Sequence, residues 1–568
     1  MTQYTFLPYL VLVVAPLAWI ALRLGRFMSP PLRWLMGLVL AWLAVWGLPA
    51  GGLDYDALKR VNLLLSGVAV VGLVLRRSRA GWWSEQRNYR RFLGGLAAAS
   101  VLAYVNFFSF HGEHRYMHLH DVAHYYLGSK YFPELGYGNL YTAMVRAEAE
   151  EYAGVLWARE VRELTTNTLM PVALVLRGSE PVKRRFGADR WAAFVRDVRY
   201  FRDAMGSRYP DVLKDHGYNP TPVWTLMGGS IANLVPAGSA SGIFLLTLLD
   251  PVIEVAVFAA IGWAFGLEAL LLSLTYHCLV FGATFSWLGG SYLRHVSFAG
   301  LVGAACCLRR RRHGGAGALL ALAAMLRVFP AFFVAGPLFH GAGHLLRDRR
   351  LPASSWRFLA SFALTAAALL LATCWIGDGV AQWQEFRRNL GAHMGSVSAN
   401  ILGLTNWPAY LSGVDVTAPG GLEEFLALRS AVFAVQLAVL FPLAVAAVAV
   451  LSQRGDEVYA LALGAPLVLA AVNVSTYYYA FLVLLVIVFR DRERQLALLF
   501  GVEFLVYAFQ LFDDHEVLMH LYKSALLAGL FAVLFAPELW RALFTERWPR
   551  VAAPSSAAGG SVPRGPIA

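Results

Sequence analysis

Apolar residues run along this chain in long blocks broken by short polar joints, a rhythm that predicts a stack of helices. The blocks fall at 5–24, 33–50, 60–76, 92–110, 240–265, 267–288, 292–308, 314–328, 330–346, 356–376, 425–451, 458–472, 476–489, 495–512 and 517–536. A helix needs about twenty apolar residues to cross a bilayer, so the expected fold is all-α, a polytopic transmembrane bundle of about 13–15 spans. The first block is long for a signal peptide and has no basic leader, so it reads as a span.

Basic residues collect in the joints at 23–33, 76–91, 309–312, 347–350, 454 and 490–494, all on one side of the expected bundle. The positive-inside rule makes that side cytoplasmic. Four regions follow: N-terminal transmembrane helices over 1–110, a large helical extracytoplasmic loop over 111–223, a bundle over 224–540 with a second outward loop at 377–424, and a disordered cytoplasmic tail over 541–568. The large loop holds two amphipathic segments, 141–164 and 188–205. In the second, Trp191, Phe194, Val195, Val198 and Phe201 share a helical face, which suits either the membrane interface or packing on the loop's own domain.

Composition agrees: 58% of residues are hydrophobic and 15% charged, too apolar for a soluble domain. The net charge of +12 lies in joints between spans, which argues against nucleic acid. Cys278, Cys306, Cys307 and Cys374 all sit in apolar blocks, with neither a disulfide framework nor a zinc spacing.

The densest titratable stretch is 111–141, HGEHRYMHLHDVAHYYLGSKYFPELGYGNLY. Helical spacing puts His118, Asp121 and Tyr125 near one face and His120 with His124 on another. Asp121 suits a general base acting on a hydroxyl, or else a helix cap or an ion pair with Arg115 or Lys130. His118, His120 and His124 are weak candidates for metal ligands, with Glu113 or Asp121 to complete a set. Arg327 stands in an otherwise apolar block three residues before Pro330, placed to meet an anion such as a lipid phosphate or to reach the interface. Arg294 and His295 are weaker candidates for that role. Tyr218–Pro222 fixes the chain as it re-enters the membrane, while the segment with His393, Ser398 and Asn400 and the cluster Tyr477–Tyr479 offer polar and aromatic groups suited to sugars.

In this order the motifs resemble the GT-C class of membrane glycosyltransferases, and within it the polyprenol-phosphate-mannose-dependent α-1,2-mannosyltransferase family of bacteria. The likeness covers roughly residues 115–490 and is carried by Asp121, Tyr125, Tyr126, Leu140-Tyr141, Tyr218–Pro222, Arg309–Arg312, Gly314–Gly317, Arg327–Pro330, Ser398–Asn400 and Tyr477–Tyr479. A long insert at about 142–217, and Arg327 where lysine is usual, depart from the pattern.

The resemblance implies inverting transfer of a mannose-like sugar from polyprenyl phosphate to a glycan or lipid acceptor at the outer face of a bacterial plasma membrane. Asp121 would be the base and Arg327 with Arg294 would bind the donor phosphate. His124, Tyr125, Tyr126, Tyr141, Tyr218, Asn400 and Tyr478 would line the substrate. No cofactor is required; a divalent metal is allowed. The expected partners are the lipid-linked sugar, the acceptor and membrane lipid. The rival readings are a transporter or flippase for a lipid-linked substrate, against which no pair of broken inverted helices is seen, and a metal-dependent membrane hydrolase using the histidines.

Overall fold

A computed structural model describes residues 53–78, 81–108, 110, 116–376, 378–394, 400–414, 418–513 and 516–545. The expected spans at 5–24 and 33–50, the residues Glu113, Arg115 and Ser398, the side chain of His393 and the tail from 546 lie outside them.

The protein is all-α and polytopic. Every other apolar block is helical over most of its length. Among the described residues, five helices are long and apolar enough to cross a membrane, namely Tyr55–Ser78, Ala240–Phe265, Ala353–Thr373, Glu423–Leu451 and Val517–Thr545. Shorter apolar helices, Leu267–Leu279, Val296–Arg309, His313–Leu326, Glu457–Ala471 and Thr476–Val488, pack between them. The blocks at 267–288 and 330–346 are not continuous helices. The first stops at Leu279 and the second opens with a tight 3-10 turn, Phe329–Val334. Pro330 explains the second, since its ring disfavours a helical residue before it and removes a donor.

Close packing of the bundle depends on small residues. Gly317, in His313–Leu326, lies against the Phe358 carbonyl of Ala353–Thr373, where a Cβ would overlap backbone. Several of the basic joints gather at one end of the bundle. Arg454, Arg490, Arg492 and Arg541 line one cleft there, and Arg310 and Arg312 sit over Trp263.

The polar segment after residue 116 folds into a mainly helical domain, whose core continues into the bundle through Ile243, Tyr292 and Leu326. The helices Leu119–Lys130, Leu140–Glu151 and Ala188–Met205 enclose Tyr126, Tyr131, Phe194 and Phe201. Glu160–Glu163 and Thr168–Pro171 form a short antiparallel hairpin. The second half of the expected amphipathic segment 141–164 is therefore loop and strand, with the helix ending at Glu151. The apolar face of Ala188–Met205 is spent inside this domain: Trp191, Phe194, Val198 and Phe201 are buried, so it has no free face for a membrane surface. Two ion pairs are sealed in the same core. Lys130 Nζ lies 3.0 Å from Asp197 and Arg202 Nε lies 2.8 Å from Glu148. Tyr131 and the Gly238 amide donate to Asp197 at 2.7 Å, so that buried carboxylate is fully bonded.

The domain docks on the bundle through backbone. The His118 amide donates to the Gly290 carbonyl at 3.0 Å. Gly290 has φ +68°, and a Cβ there would strike the Tyr116 carbonyl, so only glycine allows this approach.

Candidate functional site

Helix Leu119–Lys130 starts where the His118 ring accepts the Asp121 amide at 3.2 Å. This cap fixes Asp121 in the first turn, on the side facing the bundle. Arg294 supplies its partner by donating from its guanidinium to Asp121 Oδ1, with both side chains almost buried, at 10% and 12% exposure. Asp121 Oδ2 is buried and takes no hydrogen bond from Arg294; the Ser291 hydroxyl stands beside this carboxylate and helps to hold it ionised. Burial pushes the Asp121 carboxyl up, but the Arg294 charge and then His118 outweigh it, so it lies below the usual carboxylate range.

Arg294 is aimed by a strained turn. Leu293 has φ +54°, a left-handed conformation that costs about 1–2 kcal/mol in a residue with a Cβ. The turn points the amides of Arg294 and His295 at Asp250, which accepts both at 3.1 Å. Arg294 precedes Val296–Arg309, whose far end carries the basic run Arg309–Arg312. At 1.5 Å per residue, the two ends of this helix are about 21 Å apart. Asp121 therefore meets the bundle at the end opposite the basic joints.

Arg327 arrives on the same group. It caps His313–Leu326 in an extended conformation, φ −143° and ψ 128°, because the helix breaks ahead of Pro330. Its guanidinium donates to the Tyr125 hydroxyl at 3.0 Å and lies over the Tyr125 and Tyr478 rings, at 5.6 and 5.5 Å. Arg294 lies over Tyr477 at 4.9 Å, and the Tyr477 and Tyr478 rings meet at 4.4 Å. Two arginines, one carboxylate and three tyrosines thus form one connected group built from four separate segments. Beside it is a narrow cleft of about 40 Å³, lined by Arg294, His295, Phe329, Pro330, Tyr477 and Tyr478. Arg294 in this partly apolar cleft, with Arg327 beside it over the Tyr478 ring, suits a phosphate that carries a lipid chain.

The other expected residues lie elsewhere. Tyr126 is buried in the loop domain beside Asp197 and Lys130, not in the cleft. Tyr141 and His124 bond each other at 2.6 Å behind Asp121, and the Gly217 amide donates to Tyr141 at 3.0 Å. Tyr218 is buried with its hydroxyl 2.8 Å from Thr225, and its ring packs edge-on to Tyr125, so it supports Tyr125 from behind. Asn400 lines a different cleft with Asn62, Thr476 and His520. The three histidines do not converge on one point. His118 caps its helix, while His120 and His124 face Asp215, at 3.3 and 3.9 Å. Burial pulls the His120 ring down, but Asp215 more than offsets this and raises it, whereas buried His124 is lowered.

Asp250 and Asp215 were not singled out as site residues from sequence, and Tyr477 only as part of the cluster Tyr477–Tyr479. Asp250 did carry a signal: an aspartate with Glu254 one turn later in an apolar block is costly and marks function.

Residues 236–476 match the sequence model of Glycosyltransferase family 87. The match marks the chain as a membrane glycosyltransferase. It includes Asp250, Arg294 and Arg327; Asp121 precedes it, and Tyr477 and Tyr478 follow directly. No curated protein and no solved structure matches the chain.

Proposed function

We propose that this glycosyltransferase moves a mannose-like sugar from polyprenyl phosphate to a glycan or lipid acceptor, with inversion, in a GT-C-like fold. Its site opens to the outer face of a bacterial plasma membrane, and the loop domain 111–223 completes it. One observation carries the reading. Asp121 and Arg327, 206 positions apart, share the neighbour Tyr125, and Arg294 bonds the aspartate directly.

The chemistry follows from the charges. The acceptor oxygen forms a bond to the anomeric carbon while its proton passes to Asp121 Oδ2, the oxygen that Arg294 does not hold. The bond from that carbon to the phosphate oxygen breaks, and the electron pair leaves with polyprenyl phosphate. Arg294 and Arg327 balance the charge that develops there. Arg294 has a second effect. While it holds Asp121 it depresses that group's basicity; an arriving phosphate draws on the same guanidinium and frees the carboxylate to accept a proton.

The test uses the full chain in proteoliposomes with a synthetic polyprenyl-phosphate mannose donor. Asp121→Asn keeps the side-chain size and lowers transfer by about a hundredfold or more. Transfer at the wild-type rate in a folded Asp121→Asn protein overturns the assignment.

A further inference from the structure

Behind Arg294, three metal-ligating side chains from three different helical segments meet. Glu254 comes from Leu249–Phe265, His277 from the last turn of Leu267–Leu279, and His295 immediately precedes Val296–Arg309. Their ligand atoms lie within 4.8 Å of one another. His277 Nε2 is 3.3 Å and His295 Nε2 is 3.1 Å from Glu254 Oε1. Donors at bond lengths of 2.0–2.2 Å around a tetrahedral zinc ion stand about 3.3–3.5 Å apart. The side chains of His277 and His295 are 2% and 5% exposed.

The angles are more telling than the distances. His295 Nε2 is 3.1 Å from Glu254 Oε1 without hydrogen-bond geometry, while Asp250 engages the ring on its Nδ1 side. A buried ring nitrogen without a hydrogen bond is costly. Close approach without a mutual hydrogen bond is what two donors to one ion show. The surroundings fit a metal centre as well. His295 Nδ1 faces Asp250 Oδ1 at 3.6 Å, in the carboxylate–histidine–metal order that fixes an imidazole for coordination, and the Tyr104 hydroxyl donates to Glu254 at 3.3 Å.

We propose that Glu254, His277 and His295 bind a divalent transition-metal ion, zinc by the softness of the donor set, next to the cleft that Arg294 lines. Asp250 links the two, since its carboxylate faces the His295 ring and also accepts the Arg294 amide. Three protein donors leave a fourth position. His295 also lines the cleft, so an anionic oxygen of a bound phosphate is the natural group to fill it. That last step rests on the proposed function; the binding of the ion does not.

The purified full chain is stripped with a chelator, reloaded with zinc alone, passed through gel filtration and analysed for metal, with no sugar donor present. One zinc per chain is expected. Glu254→Gln and His295→Ala each lose it, while His120→Ala keeps it, because the histidine–aspartate group around Asp215 is a separate cluster. Cobalt loading of the wild type gives a second readout, a visible absorption band that disappears in Glu254→Gln. A wild-type chain that retains no stoichiometric metal overturns the proposal whatever the variants do. So does a Glu254→Gln or His295→Ala protein that keeps the ion, or an ion lost only in His120→Ala. Transfer activity with Asp121→Asn is scored separately, so the metal site and the transferase assignment fail independently.

Discussion

Asp121 and Arg294 form an almost buried ion pair across 173 positions of sequence, and the pair joins the loop domain to the membrane bundle. It leaves one carboxylate oxygen outside the ion pair, beside a guanidinium that also faces the cleft.

The pair sets a pH prediction. The folded carboxyl lies below its unfolded value of about 3.9, so its contribution to stability is present above that value and is lost as pH falls through the lower folded one. Asp121 is thus already ionised at the pH of any transfer assay, and the wild type shows no acid limb from it above about pH 5. In Arg294→Gln the burial effect is no longer opposed by that charge, and the acid limb of transfer moves up by about one unit or more. A limb that stays in place shows that Arg294 does not tune Asp121.

Arg327 and Tyr126 separate function from support. Arg327→Lys keeps the charge but loses the fork and the stacking on Tyr125 and Tyr478. Transfer falls about tenfold, and Arg327→Ala costs about a hundredfold or more. Tyr126→Phe removes a hydroxyl from the Lys130–Asp197 core and lowers stability by about 1 kcal/mol while the transfer rate holds. Paired rate and melting measurements check both; a Tyr126→Phe protein that melts normally but transfers slowly contradicts this division.

The loop domain depends on its buried charges. Glu148→Ala leaves Arg202 without its carboxylate, although that guanidinium still lies over Tyr152 and Trp157. The loss is about 3–5 kcal/mol, because an uncompensated buried cation is left behind. Limited proteolysis of the intact membrane protein should then cut first within 116–223. Glu148→Ala with wild-type protease resistance shows that the domain does not rely on this pair.

Some of this was legible in the chain. Hydrophobic blocks of bilayer length dictate a polytopic helical protein, because lipid leaves the backbone no alternative to helix in such segments. The cost of an arginine in an apolar block singled out Arg327, and the density of titratable groups singled out Asp121. Both signals come from local composition, which is why they survive without coordinates. The structure alone decided which aromatic residues accompany them. Tyr125 and Tyr126 are neighbours on one helix, yet the helical turn sends one to Arg327 and the other to Asp197. It alone showed the face of Ala188–Met205 to be spent within the loop domain, since an amphipathic pattern does not say what covers it. It also assembled Asp250, Glu254, His277 and His295 from three segments, at spacings no linear motif encodes. Sequence determined that charges had to be hidden in this membrane protein; tertiary packing determined with which partners.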